Sequence, residues 1–240
     1  MSWQRDYVQR FYRDRPGWQD GTEEFHALCR ARIASGGRIL EIGAGPSNRT
    51  SRFLAGLGTV WGVDPDPAVL GNESLTRAGL LDGDRIPFDD ASFDAAVSNY
   101  VAEHVAQPHA HLNEVRRVLK PGAPYLLRTP NRYHYVAIIA ALTPHWFHVL
   151  VANRARNQVG EHDPYPTVYA MNTERAIRRL ARETDFEVAE LELVEKEPSY
   201  ALASRAMFLA GMAYERVVNA SELSRSLRAN LFVVLTRRVP

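Results

Sequence analysis

A doubly wound α/β fold, a mostly parallel sheet with helices on both faces, is the class this chain predicts. Three observations carry the prediction. Between residues 40 and 130 the apolar patterns follow the order β-α-β-α-β-β-α-β. Two of the short apolar runs, RILEIG and TVWGVD, end in a glycine and an aspartate, at the strand ends where open α/β sheets form ligand crevices. The segment PHAHLNEVRRVLK places Leu112, Val115, Val118 and Leu119 on one helical face before Pro121-Gly122 breaks it.

The elements follow in order. Residues 1–20 hold Trp3, Tyr7, Phe11, Tyr12 and Trp18, too many aromatic rings for a free coil, so the segment is expected to pack on the body. TEEFHALCRARIASGG reads as a helix with Thr22 as its cap, acids in its first turn and Gly36-Gly37 as its stop. RILEIG is a strand and SNRTSRFLAGL a helix that follows almost without a loop. TVWGVD is the second strand, DPDPAVLGNESL leaves room for one helical turn, and GLLDGD and SFDAAVSN are two further strands. After the helix at 108–120 comes the strand APYLLRT. Residues 131–172 break the rhythm with Tyr, His, Trp and Pro, and read as an inserted helical lid. TERAIRRLARETD is then a helix capped by Thr173, FEVAELELVE a strand, SYALASRAMFLAGMAYERVVNASELSRSL a long helix and NLFVVLTRRV a last strand. The long helix sets Leu202, Leu209, Met212, Ala213 and Val217 near one stripe, expected to serve the core or a second copy of the chain in a homodimer.

The chain has 240 residues, of which 45% are hydrophobic, enough for one domain with a sizeable core. It divides as 1–20 (aromatic segment), 38–130 (ligand-binding core), 131–172 (lid) and 173–240 (the rest of the sheet and helices). The formal net charge is +1 and no basic arm is visible, which argues against a nucleic-acid partner. Cys29 is alone and is expected in packing. The polar, aromatic N-terminus lacks the apolar core of a signal peptide, and no run is long enough to span a bilayer, so a cytoplasmic protein without stable membrane insertion is expected.

The chemistry concentrates at LEIGAGPS. Gly-x-Gly at the end of a parallel strand, with a helix starting at once, lets backbone approach a ligand closely and offers free N–H groups. A dinucleotide-binding G-x-G-x-x-G is not matched, because its third glycine position is Asn48, which counts against a nicotinamide-dependent oxidoreductase. Glu41 lies two residues before Gly43, where it would repel a pyrophosphate and favour ammonium or sulfonium charge. Asp64 ends the second strand, where a carboxylate can accept hydrogen bonds from a ribose diol. Asp82 and Gly83 end the third, where an adenine edge would sit, with Ile86 and Phe88 as apolar neighbours. An adenine, a ribose and a cationic zwitterion together describe S-adenosylmethionine.

Four stretches, LEIGAGPS, VWGVDPDP, LDGDRIPFDDASFDAAVSNYVAEHV and HLNEVRRVLKPGAPYLLRTPN, resemble in order the class I S-adenosylmethionine-dependent methyltransferases, in their small-molecule, type 11-like branch. The resemblance implies a Rossmann-like, seven-stranded, mostly parallel sheet with an antiparallel last strand. It also implies methyl transfer to a small-molecule acceptor, a hydroxyl oxygen being the best guess, with S-adenosylhomocysteine as product. It assigns Glu41, Gly43, Ala44 and Gly45 to the methionine end of the cofactor, Asp64 to the ribose, Asp82 and Gly83 to the adenine, and the backbone carbonyl of Asn99 to the methionine ammonium; Pro65, Asp84 and Tyr100 are further cofactor-binding candidates beside them. In the methyltransferase motif, spaced more tightly than the dinucleotide one, the third small position is Ser47 rather than glycine, and Ser47 is expected to cap the following helix.

His104 is the candidate general base, since an unperturbed imidazole titrates near neutrality. Glu103-His104 is similar to a metal-binding pair of ubiquinone-type O-methyltransferases, but the acid three residues before the glutamate is Tyr100 here, so no metal is expected. Tyr133, His134, Tyr135, His145 and Trp146 are the candidate acceptor-pocket residues of the lid. The rival reading is a non-catalytic cofactor-binding scaffold on the same fold.

Overall fold

The computed structural model describes residues 3–83, 85–142, 166–199 and 201–239. Seven strands form one sheet in the order β3-β2-β1-β4-β5-β7-β6. They are β1 Arg38–Ile42, β2 Thr59–Asp64, β3 Arg77–Leu80, β4 Ala95–Asn99, β5 Pro124–Pro130, β6 Phe186–Val194 and β7 Asn230–Arg237. The first five pair in parallel, with Glu41 opposite both Gly62 and Val97 and Asn99 opposite Arg128. β7 runs against β5: Gly122 N–H donates to the Arg237 carbonyl, and Arg237 N–H to that of Ala123. The predicted sheet and its reversed last strand are therefore present. β1, β4 and β5 read as near-continuous apolar runs because both of their faces are covered; Ile39, Leu40, Ala96, Val97, Leu126 and Leu127 have no exposed surface.

The helices are α1 Trp3–Val8, α2 Gly21–Arg32, α3 Arg49–Ala55, α4 Pro108–Val118, α5 Tyr135–Leu142, α6 Glu174–Glu183 and α7 Arg205–Asn219. Leu112, Val115 and Val118 of α4 are buried as their spacing requires, and Thr173 caps α6 by accepting from Ala176 N–H at 3.1 Å. The β2–β3 connection holds only a 3₁₀ turn, Pro67–Gly71, capped by Asp66. Two caps differ from expectation. Asp20, not Thr22, heads α2: its carboxylate accepts from Thr22 and Glu23 N–H, and Glu23 returns a bond to Asp20 N–H, a reciprocal box two residues upstream of the predicted one. Asn48, not Ser47, caps α3, accepting from Thr50 and Ser51 N–H.

The described residues form two compact units. One comprises those of Phe25–Pro130, Pro166–Glu192 and Leu231–Pro240 and holds most of the sheet. Within it a polar chain crosses the packing, from Ser98 through the Tyr125 hydroxyl (2.8 Å) to the His111 ring (3.0 Å). Burial pushes His111 down to about 4, so it is a neutral packing residue at physiological pH.

The other unit comprises those of Met1–Glu24, Asn131–Tyr165 and Leu193–Asn230. Here the N-terminal aromatics pack as expected. Tyr7, Phe11 and Tyr12 surround Phe208 of α7, with ring centroids 5.5, 6.3 and 6.2 Å away. This corrects the predicted stripe. Phe208 and Val218 are the buried positions of α7, while Leu209 and Val217 are exposed. The aromatic segment selects the helix face, and that choice is invisible in the periodicity of α7 alone. The helix is also shorter than predicted, capped at Ser204 and followed by a separate 3₁₀ turn at Glu222–Leu227.

Candidate functional site

The turn after β1 hangs from β2. Gly43 and Ala44 N–H both donate to the Val63 carbonyl, at 2.8 and 3.1 Å. Gly43 has φ +72° and Gly45 +48°, and a Cβ on Gly43 would lie 2.2 Å from Val101 Cγ2, so a side chain there is excluded twice over. Asn48 Nδ2 donates to the Ala44 carbonyl at 2.8 Å, and Asn72 Nδ2 to that of Gly45 at 3.1 Å. Asn72 also takes the Ser47 hydroxyl at 3.2 Å, which is what Ser47 does in place of capping α3. Neither asparagine was singled out as a site residue from the sequence. Asn48 carried a signal, the S-N-x-T start of α3; Asn72 carried none. Gly62 was missed too: a Cβ there would meet Ala44 Cβ at 2.8 Å.

Asp64 is 8% exposed. Its Oδ2 accepts from Gly45 N–H at 2.9 Å and its Oδ1 from Asp66 N–H at 2.8 Å. Burial raises its pKa against those two bonds. Each carboxylate oxygen keeps a further lone pair, so the group is oriented by backbone and still able to accept from a vicinal diol.

Glu41, 4% exposed, carries an Oε2 with no hydrogen-bond partner. Burial pushes its carboxyl up to about 7, against lowering hydrogen bonds from Ser51 and Asn48, and the Asp64 charge adds to the rise. On the same sheet face, Asn99 at the end of β4 donates through Nδ2 to Thr50 Oγ1 at 3.1 Å, and its buried Oδ1 is also unpartnered. Two buried acceptors at adjacent strand ends, one of them anionic when ionised, suit an ammonium donor.

Tyr100, the next residue, has φ +60°, its N–H bonded to the Arg128 carbonyl at 2.9 Å. Glu103 is buried. Its Oε2 accepts from the Thr129 hydroxyl at 3.0 Å, and Asn172 Nδ2 donates to Thr129 Oγ1 at 2.6 Å. Desolvation raises the Glu103 pKa. The Glu103 carbonyl takes the N–H groups of Val168 and Tyr169, at 2.7 and 3.1 Å. His104 Nδ1 lies 3.1 Å from the Pro166 carbonyl, an acceptor only, so Nδ1 carries the proton and Nε2 the basic lone pair. Among the described residues, no group of three or more His, Cys, Asp or Glu is placed to hold a metal ion.

The third strand end differs from expectation. Asp82 and Gly83 are exposed, Asp82 forming an isolated bridge with Arg85. Phe88 is turned into the packing against Trp61 and Phe93, with centroids at 5.0 and 5.5 Å, and does not offer a free face beside Asp82. Ile86 is buried and Pro65 exposed. Asp84, His145 and Trp146 lie outside the described residues. Tyr133, His134 and Tyr135 belong to the second unit. Tyr133 is exposed; the His134 ring is buried beside Tyr135 and Tyr214, with centroids at 4.3 and 5.7 Å, and its Nε2 lies 3.4 Å from Glu195 Oε2.

A parallel sheet with a glycine turn and acids at its strand ends is the class I methyltransferase fold, and comparison with known proteins agrees. Residues 40–127 match the model of the methyltransferase domain family. A methyltransferase of Mycolicibacterium vanbaalenii is 36% identical over 111 residues, covering 44% of this chain and 40% of that protein. A ubiquinone/menaquinone biosynthesis C-methyltransferase of Burkholderia mallei is 30% identical over 106 residues, covering 40% of this chain and 44% of that one. The chain thus spans about two-fifths of the length of the curated relatives it matches. Among solved structures, a methyltransferase in complex with the Haloferax volcanii Trm112 activator aligns with a TM-score of 0.60 at 18% identity, over 98% of this chain and 94% of that one. Phosphoethanolamine N-methyltransferase 2 of Haemonchus contortus, in complex with phosphomonomethylethanolamine and S-adenosylhomocysteine, aligns at 0.56 and 16% identity, over 98% and 57%. These structural likenesses establish the fold.

Proposed function

We propose that the chain transfers a methyl group from S-adenosylmethionine to a small-molecule acceptor, with a hydroxyl oxygen as the favoured target. The observation that carries the reading is the pair of buried acids, Glu41 and Asp64, on adjacent strand ends joined by the Gly43–Gly45 turn. Their chemistry fits the cofactor: Asp64 is oriented to accept a diol, and Glu41 and Asn99 hold unpartnered acceptors for an ammonium. When bound, the cofactor supplies an electrophilic methyl group on sulfur.

The chain's own part is to align and to exclude water; positioning alone supplies up to about 7–11 kcal/mol of barrier reduction. His104, with Nδ1–H held by Pro166, is the residue to take the proton of a hydroxyl acceptor at Nε2. An acceptor already ionised needs no base. Of the lid candidates, the exposed Tyr133 remains a proposed contributor to the acceptor pocket, while the His134 ring is taken up by packing with Tyr135 and Tyr214. No helix among the described residues is long and apolar enough to cross a membrane.

Calorimetry with S-adenosylmethionine and S-adenosylhomocysteine tests the reading. The folded chain should bind both, and Asp64→Ala should weaken binding by about 2–3 kcal/mol through loss of charge-assisted bonds. Absence of heat with either ligand sinks the proposal; an Asp64→Ala variant with unchanged affinity relocates the ribose.

A further inference from the structure

The post-β4 turn holds a conformation that its residue does not favour. Tyr100 sits at φ +60° on the strand end that carries Asn99. A side-chain-bearing aromatic residue stays there only when its surroundings over-determine it. Three fixings are visible in this unit. Asn99 Nδ2 is bonded to Thr50 Oγ1 of α3. Tyr100 N–H is bonded to the Arg128 carbonyl of β5. The Arg128 guanidinium carbon lies 4.5 Å from the centroid of the Tyr100 ring and 5.5 Å from that of Phe232 on β7, whose ring meets Phe25 of α2 at 5.6 Å.

Arg128 is an unusual residue for the centre of a sheet. It is 7% exposed and opposite Asn99 in the β4–β5 register. A guanidinium tolerates such burial because its faces are apolar and weakly hydrated, and aromatic rings attract it through their quadrupole. Its charge reaches Glu103, which it holds toward the ionised form, so one cation is felt at both ends of the segment from Tyr100 to Glu103. A lysine cannot stack in this way, and an apolar residue would leave the ring of Tyr100 unopposed.

We propose that Arg128 is a positioning residue: by clamping the Tyr100 ring against β5 and β7 it holds the left-handed turn that presents Asn99 to the cofactor. The proposal rests on reading Asn99–Tyr100 as part of the cofactor site. Arg128 acts through Tyr100 and touches no reacting atom.

Calorimetric titration with S-adenosylhomocysteine, run on variants whose circular dichroism matches the parent chain, tests it. Arg128→Ala weakens the dissociation constant about tenfold, the size expected of a desolvated cation–ring contact, and Arg128→Lys recovers only part of the loss. Tyr100→Gly removes both the ring and the conformational conflict, since glycine adopts positive φ freely. In the Tyr100→Gly background, Arg128→Ala therefore causes no further loss beyond about twofold. Equal losses from Arg128→Ala in both backgrounds, or no loss in the parent, overturn the clamp while leaving cofactor binding intact. If Arg128→Ala does not fold, Arg128→Lys carries the same comparison: a loss in the parent that vanishes with Tyr100→Gly supports the clamp, and one that persists overturns it. A parent chain that binds no S-adenosylhomocysteine overturns both this proposal and the functional reading.

Discussion

Glu41 and Glu195 are both buried acids whose pKa is raised by desolvation, to about 7 and about 8, and both carry an Oε2 without a hydrogen-bond partner. Their settings differ. Glu41 stands on a central strand beside a glycine turn, with Asn48 and Ser51 of α3 bonding it and a second orphan acceptor, Asn99, on the same sheet face. Glu195 stands in the other unit among His134, Tyr214 and the further acids Glu197 and Glu215, with Arg228 its main countercharge. Burial likewise pushes His134 down to about 4. A perturbed acid is thus no signature of a site by itself. The backbone arrangement around it, a glycine turn between strand ends in one case and aromatic packing in the other, is what sets the two apart.

The comparison can be broken most sharply at the glycine turn. Gly43→Ala forces a Cβ into Val101 at positive φ and should cost about 3 kcal/mol of stability, with loss of S-adenosylhomocysteine binding. Chemical denaturation and calorimetry read the two effects. A variant as stable as the parent would show that the turn is not under the constraint described.

A smaller effect belongs to Glu195. Across the neutral range the buried Glu195–His134 pair holds one proton and no net charge, because burial raises the acid and lowers the imidazole. Unfolded, the two groups also hold one proton between about pH 4.5 and 6.5, so stability is flat there. Above about 6.5 the unfolded histidine releases its proton while the folded pair keeps one until about 8, so stability falls by about 2 kcal/mol across that window. Glu195→Gln should flatten this decline. The slope of thermal unfolding midpoint against pH checks it, and an unchanged slope would place the titration elsewhere.

The smallest effect sharpens the other side. A ligand ammonium beside Glu41 favours its ionised form, so binding at pH 6, where the free carboxyl is largely protonated, should release up to one proton. At pH 8.5 it should release almost none, and affinity should rise by up to about tenfold from pH 6 to 8. Calorimetry in buffers of different ionisation enthalpy measures the release, and the change should vanish in Glu41→Gln.

How much of this could be read in the sequence follows from where each constraint lies. The strands and the glycine turn were legible because each is a local pattern: a short apolar run, then Gly43-Ala44-Gly45, then α3. Thr173 was legible as a cap for the same reason, while the true cap of α2, Asp20, was passed over because Thr22 offers an equally good local signal two residues later. Asn72 and Arg128 were not legible. Their partners, Gly45 and Tyr100, are 27 residues away in the first case and 28 residues away, across α4, in the second. Asp82, set at the adenine by the family resemblance, is exposed and bridged to Arg85, without the backbone bond from Gly45 that orients Asp64.

Asn72 makes the stretch between β2 and β3 more than a spacer. Its amide grips the carbonyl of Gly45, its oxygen takes Ser47 from the same bend, and Ser74 N–H closes the ring from the other side. Shortening or grafting that connector, a change an engineer would ordinarily regard as harmless to the pocket, would release the bend from one of its moorings.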